Sequence, residues 1–365
     1  MTGTSTHTSQ LHSQAPGKLI LLGEYAVLRG APALVMAVNR HAQVYLQPAS
    51  TDTFWLTAPD VGLREVAFDL SESGTVTFHS PSPSLETSAA FVKAAVETVA
   101  QQVKLAPAHI TISSAEFFYQ NTTTKLGLGS SAAVSVALIG ALLQWSGSAS
   151  TPADAFKMQV LERALAAHHR AQGKQGSGVD IAASTFGGLL KYTMPVVSTQ
   201  LPPEIQALSL PPKLYMRFVW TRTAASTTRL VARVNQFRER NPAEYNRLFG
   251  ELIYLAEQGS MAFQRGDTEA FLEVVQDYYH QLEALSHASG APIISEVHQR
   301  LHEIARRHHV TYKPSGAGEG DFGILFGSNE LNVIDASVEM EKAGFPLFSF
   351  QIDENGVQIN SERGE

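Results

Sequence analysis

Residues 125–145 read KLGLGSSAAVSVALIGALLQW, a loop with almost no side chains opening onto a long apolar run. Val134, Val136, Ala137, Leu138, Ile139, Ala141, Leu142, Leu143 and Trp145 leave that run without a polar face, so a helix here must be covered on every side. Covering it takes a layered fold of some size. The chain has 365 residues, 44% of them apolar, which is more than one core usually organises. Two domains are therefore expected, residues 1–195 and 196–365, divided within the proline-dotted stretch 194–213.

The start of such a helix leaves backbone N–H groups without partners and carries a partial positive charge. Gly127 and Gly129 let a bulky anion approach that backbone, a combination suited to phosphate. Ser130 and Ser131 either cap the helix or offer a hydroxyl to a phosphate-bound Mg²⁺, and the loop alone leaves both readings open. A Walker A loop is excluded, because no Gly-Lys-Ser/Thr occurs in the chain. GLGSSA fits the loose Gly-x-Gly-x-x-Ala dinucleotide pattern, but polar QNTTTK precedes it where that fingerprint requires an apolar strand.

With 27 basic against 34 acidic residues, a formal charge of −7 argues against nucleic-acid or anionic-membrane binding and leaves room for a small basic pocket. The absence of cysteine excludes disulfides, thiolate catalysis and sulfur-held zinc. MTGTSTHTSQLHSQ lacks the basic and apolar parts of a signal peptide, and no apolar run reaches the roughly 18 residues of a membrane span. A cytoplasmic protein acting on a small molecule, as monomer or homodimer, is the expectation.

Short apolar runs separated by glycine turns predict strands in KLILLGEYAVL, ALVMAVN, QVYLQP, TVTFHS and HITISSAEFFY. Helices are predicted over 89–102, from Thr151 as N-cap onward, and over 226–240, 242–265, 268–289 and 293–308. Tyr278, Leu282 and Leu285 fall at helical spacing and read as core. The adjacent His308 and His309 read as residues favoured at a helix C-terminus rather than as metal ligands.

Three further sequence features bear on chemistry. In KPSGAGEGDFGILFG, Gly316, Gly318 and Gly320 permit close backbone approach, either as a tight loop or as a second wall of a phosphate site. In GSGVDIAAS, Asp180 sits among small residues; it reads as an Asx turn or helix cap, or as the acid that accepts the nucleophile's proton. Lys18 in APGKLILLGEY is either a solvated strand lysine or the cation that screens phosphate charge.

Taken in order, APGKLILLGEYAVLRGAPAL, KLGLGSSAAVSVAL, GSGVDIAASTFGG and KPSGAGEGDFGILF resemble the GHMP kinase superfamily over nearly the whole chain. The resemblance implies an α+β, two-domain GHMP kinase fold: a ribosomal-protein-S5-like N-terminal domain, and a ferredoxin-like C-terminal domain with added helices. ATP is implied in the cleft between them. It implies catalytic roles for Lys18 and Asp180, an ATP cradle of Lys125, Gly127, Leu128, Gly129, Ser130, Ser131 and Ala132, and Mg²⁺ held through Ser131. For the acceptor it implies Lys18, Tyr25, His169, Ser177, Gly178, Arg222, Ser226, Thr227, Gly316, Ala317 and Gly318.

Within the superfamily the chain resembles the phosphomevalonate kinase branch. Tyr25 stands where mevalonate kinases usually carry histidine, His169 stands where they carry a Mg²⁺-binding glutamate, and Asp321 follows the third glycine loop. The implied reaction is ATP-dependent phosphorylation of 5-phosphomevalonate to 5-diphosphomevalonate in the mevalonate route to isoprenoids, with mevalonate kinase or another small-molecule GHMP kinase as the alternative. Arg222 and Glu319 both depart from glycine in the pattern. Glu319 puts a negative charge near a phosphate cradle, unfavourable unless solvent or a cation takes it up. Arg222, Arg229, Lys174 and His169 are the cations available to a second phosphate.

Overall fold

The computed structural model describes residues 10–120, 122–172, 176–195 and 202–362. Lys174 lies outside the described residues, as do residues 196–201 beside the proposed domain division.

The first half is built on strands β1 (Gln10–Leu22), β2 (Ala33–Pro48), β3 (Phe54–Ala58), β4 (Leu63–Leu70) and β5 (Val76–Phe78). Helices α1 (Pro83–Ser88) and α2 (Ala90–Ala100) precede strand β6 (Ala108–Ser113); helices α3 (Ser130–Trp145), α4 (Ala153–Gln172) and α5 (Val179–Phe186) follow it. Strands β7 (Leu189–Thr193) and β8 (Glu204–Leu208) come next. The apolar run is α3, and Ala132 through Leu143 are buried apart from half-buried Val134. It lies on β1 and β2 and against α2, α4 and α5, the complete cover its sequence requires. Leu138, Ile139 and Leu142 are each fully buried, contributing roughly 1.5–3 kcal/mol apiece. Helix α4 starts at Ala153, not with Thr151 as its cap: the Pro152 carbonyl accepts from Phe156 N at 3.2 Å.

The second half adds β9 (Tyr215–Trp220), helices α6 (Thr227–Arg240), α7 (Pro242–Arg265), α8 (Thr268–Ser289) and α9 (Glu296–Arg307), and strands β10 (Thr311–Ser315) and β11 (Phe322–Gly327). Helix α10 (Glu330–Lys342) and strands β12 (Leu347–Phe348) and β13 (Gln358–Glu362) close it. An antiparallel four-stranded sheet, in the order β10-β11-β9-β12, packs against α8, α9 and α10. Tyr278, Leu282 and Leu285 are core residues of α8, as their spacing predicts. His308 pairs with Glu339 of α10 at 2.7 Å, so that histidine joins two helices as well as ending one.

The larger sheet runs β13-β1-β2-β6-β3-β4-β5, with β7 pairing both β2 and β8. Strands β8 and β13 follow the proposed division in sequence and nevertheless belong to this sheet, β13 running antiparallel to β1 from Gln10↔Glu362 to Gln14↔Gln358. The C-terminal end of the chain thus returns to cover the edge that β1 would otherwise expose. The two halves also share one apolar core, in which Leu19, Leu21 and Leu22 of β1 join Phe249, Leu252 and Tyr278 of the helices. A Cβ on Gly259 of α7 would lie 2.3 Å from Leu22 Cδ2, so that helix approaches β1 only because the position is glycine. Lys18 is thereby held where both halves reach it. Among the described residues, no helix is long and apolar enough to cross a membrane.

Candidate active site

The glycine loop is pinned to β1. Lys18 N donates to Leu128 O at 2.9 Å, and a Cβ on Gly17 would meet that same carbonyl at 2.8 Å. Gly129 has φ +79 and is the N-cap of α3, with no side chain capping the helix. Ser130 and Ser131 are therefore the first residues of α3 itself, and neither fills the cap position. The first-turn N–H groups are left for a ligand anion, at the positive end of a buried helix.

A side chain on Gly129 would stand 3.3 Å from Lys18 Cε and 3.7 Å from Asp180 Cβ. The helix start, the Lys18 stem and Asp180 thus surround one point. Asp180 is in the first turn of α5, entered through Gly178 at φ +78, where a Cβ would come within 2.4 Å of Leu165 Cδ2. One Asp180 oxygen accepts from Ile181 N at 3.0 Å, and the Ser177 carbonyl accepts from the Tyr192 hydroxyl. The Asp180 bond reaches only the next residue, one short of an Asx turn, and leaves Asp180 in place beside Lys18. Among the described residues Lys18 has no ion-pair partner, so its charge is available to a ligand.

Gly127 has a further reason to be glycine beside the approach of an anion. A Cβ there would overlap the Asp321 side chain, 2.1 Å from Cγ and 2.3 Å from Oδ2. Asp321 comes from the loop before β11, and its other oxygen accepts from Ala225 N at 3.1 Å. Burial pushes its carboxyl up to about 6, against the pull of the Ala225 N–H and of the nearby Lys18 charge. Asp321 brings the second half of the molecule directly onto the glycine loop. The motif placed this aspartate in the chain, but nothing in the sequence marked its contact with Gly127.

Behind Asp321, buried His298 of α9 meets the Tyr312 hydroxyl at 2.7 Å and the Gly320 carbonyl at 3.2 Å. Burial, opposed by the Gly320 carbonyl and reinforced by the Lys313 charge, depresses its pKa to about 4. The neutral ring therefore donates to Gly320 O and accepts from Tyr312. An unfolded chain binds this proton near the ordinary value of 6.5, so the contribution is complete above that pH and is lost as pH falls toward about 4. The loss is about 3 kcal/mol. His298→Gln should flatten the decline of the thermal midpoint between these pH values; an unchanged slope would refute the assignment.

The remaining expected residues divide by position. Tyr25 is buried, and its hydroxyl donates to Ala317 O at 2.5 Å; burial, with Glu24 and Glu319 adding to it, pushes the phenol far up. Gly316 has φ +93, with open space where a side chain would be, while a Cβ on Gly318 would strike Ile293 O at 2.2 Å. Ser226 is the N-cap of α6, accepting from Arg229 N at 3.4 Å, and Thr227 follows it, both exposed. Glu319 pairs with Arg229 and accepts from Ser226 N at 3.3 Å, so an arginine takes up the extra charge. Arg222 is exposed with φ +65, which explains why glycine is the easier residue there. Lys125 is exposed and bridges through its backbone to Phe118, and His169 is half-buried in the last turn of α4.

Sequence reasoning missed Glu24 and Lys313, a buried ion pair between the turn after β1 and strand β10. Their only signal was a charge inside an apolar stretch, in LLGEYAVL and in VTYKPSG.

Among the described residues, no group of three His, Asp or Glu side chains forms a cation cage. A divalent ion here would be held mostly by nucleotide phosphates and water, with Ser131 at the helix start as the nearest expected protein ligand.

Residues 90–188, from α2 to the turn after α5, match the family described as GHMP kinases N terminal domain. Over 337 residues the chain is 29% identical to a phosphomevalonate kinase of Streptomyces sp. (strain CL190), covering 85% of this chain and 88% of that one. It is also 29% identical over 334 residues to a mevalonate kinase of Archaeoglobus fulgidus, covering 91% and 98%. The crystal structure of Streptococcus pneumoniae phosphomevalonate kinase in complex with phosphomevalonate and AMPPNP shares the fold, with a TM-score of 0.75, 20% identity and coverage of 94% of this chain and 99% of that one.

Proposed function

We propose that this chain, whose residues 90–188 match the GHMP kinases N terminal domain, transfers the γ-phosphoryl group of ATP to the phosphate of 5-phosphomevalonate. The observation that carries the reading is the convergence of Lys18 and Asp180 on Gly129 at the uncapped start of α3. Lys125 and residues 127–132 would cradle the ATP phosphates, and Ser131 would supply a hydroxyl ligand to the accompanying Mg²⁺. Lys18 neutralises charge on the transferred group. An acceptor phosphate oxygen attacks the γ-phosphorus, the bond from that phosphorus to the β,γ-bridging oxygen breaks, and ADP leaves; the product is a diphosphate ester.

The acceptor phosphate is already largely ionised near neutral pH. Asp180 therefore acts by orienting the acceptor more than by removing a proton. On the acceptor side, His169 and Arg222 supply charge, and Tyr25, Ser177, Gly178, Ser226, Thr227 and residues 316–318 shape the pocket. Arg229, paired with Glu319 on the exposed side of the third glycine loop, stays among the acceptor cations.

The identity shared with a mevalonate kinase keeps an alcohol acceptor as the second reading. Asp180→Asn separates the two. With a phosphate acceptor kcat should fall by roughly 10-fold; the loss of a true general base typically costs about 10²–10⁴-fold. ADP release from Mg-ATP, with mevalonate and 5-phosphomevalonate offered in parallel and a no-acceptor control, tests the acceptor directly. Turnover confined to mevalonate would refute the phosphomevalonate reading.

A further inference from the structure

Glu24 and Lys313 are oppositely charged and almost entirely enclosed, with side chains 2% and 0% exposed. We propose that this pair is a positioning device, clamping residues 314–317, the entry to the third glycine loop, onto the strand that carries Lys18. The inference rests on the kinase reading above and adds to it two residues that do not touch the reacting atoms.

The clamp is visible contact by contact. Lys313 donates to a Glu24 oxygen and, at 2.5 Å, to the Pro314 carbonyl. That same Glu24 oxygen accepts from Gly316 N at 3.3 Å. Ser315 accepts from Ile20 N through its hydroxyl at 2.9 Å, and the Ala317 carbonyl accepts from Tyr25 at 2.5 Å. From the other side, Tyr278 donates to the Glu24 carbonyl at 2.7 Å. Four successive residues, 314–317, are thus tied to β1, to the turn that follows it or to the lysine held there.

Packing does not explain the placement of Gly316, whereas residues 318–321 rest against Ile293 and Thr223. Gly316 is in left-handed backbone at φ +93 with nothing within 4 Å of the side-chain direction, so polar contacts fix this residue. A buried ion pair is also a poor device for stability alone, since well-packed apolar residues of similar volume are often as stable. Glu24 makes this plainer: its second oxygen is buried and has no hydrogen-bond partner among the described residues. What the charges provide and apolar residues do not is one defined position for Gly316 relative to Lys18. Lys313, neutralised by Glu24, is correspondingly not one of the cations that face phosphate.

The test compares the full-length protein with Glu24→Gln and with the double variant Glu24→Leu/Lys313→Met, following amide hydrogen exchange across residues 314–321 and kcat/KM well below the thermal midpoint. Glu24→Gln should speed exchange at Gly316 and its neighbours by at least about 10-fold. It should also lower kcat/KM by about 100-fold, the scale of a 1 Å misplacement. The double variant should regain a midpoint near the wild type while keeping fast exchange and low kcat/KM. Wild-type exchange and kcat/KM in the double variant would overturn the proposal, leaving the pair as core filling. If the double variant does not fold, Glu24→Gln and Lys313→Arg decide by the same two readouts. A wild-type protein inactive on both acceptors would refute the kinase reading, and hydrogen exchange would still judge the clamp.

Discussion

Lys18→Met is expected to lower kcat by about 10³-fold while leaving the protein folded. The methionine keeps the apolar stem that passes 3.3–3.4 Å from the side-chain position of Gly129, so the glycine loop keeps its neighbour. What disappears is the charge. Among the described residues Lys18 has no ion-pair partner, so its removal breaks no salt bridge; beside the phosphates, it withdraws the charge that lowers the nearby Asp321 carboxyl. Losing one preorganised donor to developing charge typically costs about 10²–10³-fold, and a full charge in a cleft belongs at the upper end. The check is steady-state kinetics beside a thermal midpoint: a fall of less than roughly 10-fold in a folded variant would remove Lys18 from the centre of the reaction.

Gly127→Val should produce the second large effect, a drop of about 10²-fold or more in kcat/KM together with a lower thermal midpoint. Two costs add at this position. A side chain is strained at φ +77, and its Cβ would overlap Asp321, which is not free to retreat. Ala225 N holds the Asp321 carboxylate, the Asp321 N–H donates to Thr223 O at 2.7 Å, and its carbonyl accepts from Thr221 N at 2.9 Å. The loop or the whole contact between the halves must shift. Asp321→Ala should therefore partly rescue Gly127→Val, measured by kcat/KM of the double variant. Rescue is not expected for Gly129→Val, whose side chain would meet Lys18 and Asp180 instead.

Much of this architecture was legible because local chemistry and tertiary demand agree. An apolar run without a polar face has to be central, and α3 is. The helices at 242–265 and 268–289 were readable to the residue, because Pro242 and Arg265–Gly266 punctuate one and an Asp267 cap opens the other. What could not be read was pairing between distant segments. The return of β13 to β1 depends on a partner more than 340 positions away in sequence, and five residues of mixed polarity carry no mark of that destination.

In the candidate site the same limit applies. Gly127 and Gly129 were visible as glycines, but sequence suggested one reason for both, whereas Asp321 excludes a side chain at the first and left-handed backbone beside Lys18 strains one at the second. Arg229 and Glu319, 90 positions apart, read as two isolated charges, one useful and one awkward. In the fold they answer each other. Glu24 and Lys313 were hidden by the general expectation that charged residues are solvated, which fails where two opposite charges are buried together.

The most direct test of the central claim is ³¹P nuclear magnetic resonance of the product formed by the purified protein from Mg-ATP and 5-phosphomevalonate. Transfer to the acceptor phosphate, with Lys18 and Asp180 converging at the start of α3, predicts a new pair of mutually coupled phosphorus signals from a diphosphate ester, growing as ADP accumulates and absent with Lys18→Met. A product with two uncoupled phosphomonoester signals would show transfer to an alcohol and contradict the account, as would ADP accumulation with the acceptor signal unchanged.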